Sequence, residues 1–196
     1  MKSSRSTSYI ITLLSLAISA TVSAAPKLYV EIAGVKEQGT QACKLKEKAK
    51  AALKKAFSAR PEVTMTLGDP PPKGAALQKA LKNKGLTGYR VVLRLTKCSH
   101  TLLPPAKGKV YKVLMVEVGV AIDAEKIPTS QMALAGQGSA QVGTEVSKIK
   151  EKEKQQLLLE ALTEATKQAV GKSVDTVNKP KKTKRKRRRR KRRKRR

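Results

Sequence analysis

From Gly88 onward apolar residues recur at every second position, and they keep that period as far as Thr144, with breaks near Pro104 and Pro105 and again near Pro128. A two-residue period is the repeat of a β-strand, whose side chains alternate between faces, so the stretch predicts three strands joined as an antiparallel meander. On the first strand Val91, Leu93 and Leu95 share one face, while Arg90, Arg94 and Thr96 share the other. On the second, Leu114, Val116, Val118, Val120 and Ile122 are all apolar and the opposite face carries Glu117 and Asp123, so one face must meet a core. The third, about Met132 to Thr144, holds Gly136, Gly138 and Gly143, which predicts bulges or the close approach of another backbone.

The residues before the meander alternate between two periods. Leu28, Val30 and Ile32 mark a short strand that runs into turn residues from Gly34 to Gly39. A helix starting near Gln41 follows: Leu45, Ala49, Ala52, Leu53, Ala56 and Phe57 repeat at spacings of three and four, and Lys44, Lys46, Lys48, Lys50, Lys54 and Lys55 cover the other positions. Arg60 and Pro61 end it. Val63, Met65 and Leu67 predict a second strand closed by Gly68, Asp69 and the prolines 70–72, and a shorter helix runs from Gly74 to about Lys84, with Gly85 as its stop. After the meander, Leu158, Leu162, Ala165, Ala169 and Val170 form the apolar stripe of a last helix, about Ser147 to Thr176, whose first part is solvated. The order β-α-β-α-β-β-β-α predicts an α+β (mixed α/β) fold with a mixed sheet and helices packed on one face.

That order, the strand entered through Gly85-Leu86-Thr87-Gly88-Tyr89-Arg90-Val91-Val92, the second meander strand ending in Asp123 and the closing Ala161-Leu162-Thr163-Glu164-Ala165 helix resemble a group of bacterial envelope domains. The group includes the N-terminal domain of the Tol-Pal system's propeller protein and the lipoproteins that activate penicillin-binding proteins. The resemblance covers about Lys27 to Val174 and lies in the pattern of elements rather than in a residue-specific motif. It implies a non-catalytic periplasmic module that works by protein contact.

The N-terminus supports export. Lys2 and Arg5 precede an apolar stretch from Tyr9 to Ala20, and Val22, Ser23 and Ala24 then form a small-residue cleavage site, so residues 1–24 read as a signal peptide and the mature chain starts at Ala25. An anchor helix needs ~20 apolar residues, more than this stretch offers once Thr12 and Ser15 interrupt it. No Cys lies beside the predicted cut to take a lipid. Residues 25–178 suit one domain. Its two cysteines, Cys43 and Cys98, read as a disulfide in an oxidising compartment, with two buried thiols as the alternative.

The charge is distributed unevenly. Of the net +30, sixteen positive charges sit in the last eighteen positions, residues 179–196: Lys179, Lys181, Lys182, Lys184, Arg185, Lys186, Arg187, Arg188, Arg189, Arg190, Lys191, Arg192, Arg193, Lys194, Arg195 and Arg196. Like charges at that density repel and cannot pack, so the run is expected to be a disordered polybasic tail. Counterion release makes any extended polyanion its partner: lipopolysaccharide, anionic lipid or nucleic acid. The exposed lysines of the first helix read as a solvated face, or as an extension of the same positive field.

The remaining chemistry is sparse. With 3% aromatic residues, no Trp and one His, aromatic sugar sites, base-stacking platforms and multi-histidine metal centres are excluded as expectations. Cys98 and His100 form the one close pair of soft ligands, too few for a zinc site; as thiol and base they would suit a thiol-dependent enzyme. Glu31, Glu117 and Asp123 read as strand-surface charges balanced by cations such as Arg90 and Arg94. Gly34 to Gly39 lacks the Lys-Ser/Thr ending of a phosphate loop, and Gly136-x-Gly138 lacks a helix directly behind it. The expectation is therefore an exported, non-enzymatic envelope binding or adaptor module with no cofactor and no metal, its domain contacting an envelope protein and its tail an anionic polymer. An exported nucleic-acid binder and a thiol-dependent enzyme are the alternatives.

Overall fold

The computed structural model describes residues 27–38, 43–105, 107–108 and 110–178. The signal peptide, the cleavage site and the tail expected from the sequence lie outside these residues. In chain order the elements are β1 Leu28–Glu37, α1 Lys46–Ser58, β2 Val63–Thr64, α2 Gly74–Asn83, β3 Thr87–Leu103, β4 Lys112–Ile127, β5 Gln131–Val146 and α3 Glu151–Asn178. The described strands form one five-stranded sheet in the order β2-β1-β3-β4-β5. β1 pairs in parallel with both β2 and β3, whereas β3, β4 and β5 form the antiparallel meander. The fold is thus the mixed α/β arrangement that the order of periods predicts.

The alternation of β4 explains why it anchors the core. Leu114, Val116, Val118, Val120, Ile122 and Ala124 all point to one face and are buried, and Val91, Leu93 and Leu95 of β3 and Leu28 and Val30 of β1 extend that face. α1 covers it with Ala49, Leu53 and Phe57, and α3 with Ala161, Leu162, Ala165, Ala169, Val170 and Val174, the apolar stripes their three-and-four spacing creates. α3 approaches β5 very closely. A Cβ on Gly138 would overlap the carbonyl oxygen of Ala165, and one on Gly136 the carbonyl oxygen of Ala169. These glycines therefore mark the helix–sheet contact, the second of the two roles their sequence allowed. The short α2 stands apart from this layer: Leu77 and Leu81 pack with Tyr29, Leu67, Leu86 and Ile127 in a small second cluster.

Four boundaries differ from the periodic reading. β1 does not turn at Gly34 but continues to Glu37, because Gly34, Val35, Lys36 and Glu37 stay paired with β3 past an irregularity between Ile32 and Gly34. α1 begins at Lys46 rather than near Gln41, because Lys44 has φ 52°, a left-handed conformation that a helix cannot include, and Cys43 is tied to β3. β2 keeps only Val63 and Thr64, which pair with Leu28 and Tyr29; Leu67 is drawn into the α2 cluster instead. α3 starts at Glu151 because β5 continues to Val146, the partner of Lys112.

Candidate functional site

The chemistry-bearing side chains do not converge on one centre. Cys43 and Cys98 form a disulfide, with Cα atoms 6.3 Å apart across a sequence separation of 55. While the bridge stands, the thiol that a Cys98–His100 mechanism needs is consumed. The three carboxylates spread along the sheet's polar face, each beside a cation from a neighbouring strand. Glu31 lies 3.6 Å from Arg90, Asp123 receives Arg94 Nη2 at 3.0 Å, and Glu117 lies 2.7 Å from Lys97. Arg94 also donates to Gln38 Oε1 at 3.3 Å. Such half-exposed pairs are worth about 0–1 kcal/mol each and tile a surface rather than build an acid–base dyad. The described residues contain no group of three or more metal-ligating side chains.

A cavity of about 530 Å³ opens beside the disulfide, where the start of α1, the outer half of β3 and the first turns of α3 meet. Buried Leu45 and Leu158 line it together with Lys44, Lys48 and Lys154, and Glu151 holds Lys154 at 3.1 Å. Three ammonium groups against one carboxylate make the cavity electropositive. Ser99 and His100 also line it, but as successive residues of a strand their side chains leave on opposite faces.

The two ends of the molecule differ in chemistry. At one end Arg60 bridges Glu62 and Asp175, both at 3.0 Å, and Lys27 N–H donates to the Glu62 carbonyl, so the start of β1 and the end of α3 lie together. The basic run begins one residue beyond α3, at Lys179. With 28 residues rising ~1.5 Å each, α3 places its first turn roughly 40 Å from that end. There the β3–β4 hairpin closes, and Leu102, Leu103, Val110 and Tyr111 are exposed, Val110 at 86%. Ile149, also exposed, follows Val146, the partner of Lys112. Lys107, Lys112, Lys148 and Lys150 are exposed at the same end. The two-residue period marks this turn only as a break in the meander. The signal was the pair Leu102-Leu103 before Pro104 and Val110-Tyr111 after the turn, apolar dipeptides with no packing partner in the period.

No protein-family model and no curated protein matches the chain. Among solved structures, it is similar to a minor lipoprotein from Acinetobacter baumannii, with 10% identity and TM-score 0.42 over 79% of this chain and 94% of that one. It is also similar to a Xanthomonas campestris protein of the DUF330 family model, with 10% identity and TM-score 0.46 over 79% and 90% of the two chains. A third is the lipoprotein GNA1162 from Neisseria meningitidis, with 10% identity and TM-score 0.36 over 66% and 92%. These are distant likenesses. No described helix is long and apolar enough to cross a membrane.

Proposed function

We propose that the chain is an exported, non-enzymatic cell-envelope binding or adaptor module, held to lipopolysaccharide, anionic lipid or another acidic polymer by its polybasic C-terminal run. Its kinship with the Tol-Pal propeller domain and the penicillin-binding-protein activators, through which the folded domain would contact an envelope protein, is part of the proposal. The observation that carries it is the division of charge. Sixteen basic residues lie beyond the last helix, outside the apolar periodicity that builds the core. Two further features support it. A disulfide linking α1's approach to β3 suits an oxidising compartment, and the carboxylates are engaged pairwise with cations instead of gathered around a cavity.

The test is fractionation of cells producing either the full chain or a chain ending at Asn178. The full chain is expected to pellet with the envelope and to be released by raised salt. The shortened chain should appear in the soluble exported fraction. Pelleting of both chains alike would contradict anchoring by the tail, and recovery of the full chain with nucleic acid in place of envelope would favour the nucleic-acid reading.

A further inference from the structure

We propose that the closed end of the β3–β4 hairpin is itself a lipid-contacting tip. On this assignment Leu102, Leu103, Val110, Tyr111 and nearby Ile149 enter the headgroup region of an anionic bilayer. The proposal deepens the anionic-envelope reading but stands on a different part of the molecule from the tail. Of the six large apolar residues exposed in the described structure, these five gather at one end; Met132 is the sixth. Scattered singly they would need no explanation, but gathered at one end they form an unburied apolar cap.

The charges around the cap decide which surface it fits. Lys107, Lys112 and Lys148 are exposed there, and their aliphatic stems can lie along acyl chains while the ammonium groups stay among phosphates. The carboxylates of that end are engaged: Glu151 with Lys154 at 3.1 Å and Glu153 with Lys150 at 3.4 Å. Tyr111, half exposed, has the amphipathic ring that settles at a membrane–water boundary. A stable protein interface needs about 800 Å² of complementary surface from each partner. A bilayer asks only that a few apolar side chains leave water above a basic collar.

The chain contains no Trp, so Tyr111→Trp in the full-length protein gives a single fluorescent reporter at the tip. The probe is vesicles of phosphatidylglycerol and phosphatidylethanolamine in equal amounts. Binding should shift the emission to the blue, and lipids brominated high on the acyl chain should quench it. Adding Val110→Asp should remove shift and quenching while low-salt co-sedimentation through the tail persists; both positions are exposed, so an unchanged thermal transition is expected in each variant. Co-sedimentation with unshifted emission would overturn the tip proposal and leave the tail reading standing. Absence of both would overturn the two together. An equal shift on pure phosphatidylcholine would overturn the anionic requirement, and a shift that needs an envelope protein in place of lipid would make the tip a protein contact.

Discussion

Thr166 is fully buried on the inward face of α3, and its hydroxyl has no hydrogen-bond partner among the described residues. A buried polar group without a partner costs about 1–3 kcal/mol, whereas an apolar group of the same shape does not. Thr166→Val is therefore expected to raise stability by about 1 kcal/mol, read as a higher denaturant midpoint at unchanged slope. Two tyrosines are expected to make stability depend on alkaline pH. Burial raises the Tyr29 phenol above its ordinary 10.0, with the charge of Glu31 adding to the effect, and burial raises Tyr89 in the same direction. A phenol whose folded pKa exceeds its unfolded value binds its proton more tightly in the fold. Its contribution is complete below the unfolded value and is lost as pH rises through the folded one. Thermal melts should fall above about pH 10, and the double variant Tyr29→Phe/Tyr89→Phe should flatten that fall; an unchanged slope would mean that other groups cause it.

β4 and α3 carry most of the fold, and they differ in how they fail. Val118 is fully exposed to the core and not to water, so Val118→Asp buries an unpaired carboxylate at a cost of several kcal/mol, comparable with the stability of the whole domain. The variant should not fold; a soluble protein with the wild-type transition would mean that the inward face of β4 is assigned wrongly. Gly138→Ala sets a Cβ against the Ala165 carbonyl and forces α3 away from β5, at about 1–3 kcal/mol, measured as a lowered melting temperature with folding retained. The same elements show what a sequence exposes. β4 was legible because its apolar residues alternate without interruption, and the glycines of β5 announced a close contact without naming α3 as the partner. The start of α1 was not legible, since it depends on a left-handed Lys44 and a bridge to a residue 55 positions away. β2 was overread because three alternating apolar residues look alike whether they pair in a sheet or, like Leu67, turn into a second cluster. The ion pairs of Arg90 and Arg94 were anticipated by alternation, while the cavity beside the disulfide was not, since it forms only where three distant segments meet.

At the scale of the molecule, the proposed function divides the chain into a domain that folds by burial and a basic run that would bind by charge. The start of β1 and the end of α3 share one end, and the apolar hairpin tip is at the other, roughly 40 Å away. Eighteen residues fully extended span up to ~60 Å, so tail and tip are able to meet one surface together. Apolar insertion of a few side chains gives only marginal membrane binding, so the tail should supply most of the affinity and the tip its depth and orientation. The most direct test is the salt dependence of binding to phosphatidylglycerol vesicles, measured for the full chain and for a chain ending at Asn178. For the full chain the logarithm of the binding constant should fall steeply and linearly with the logarithm of salt concentration. The shortened chain should keep its melting temperature, lose most of the affinity and show a nearly flat dependence. Equal affinity and equal slope in the two chains would contradict the account and place the binding charge on the folded domain, at the exposed lysines of α1.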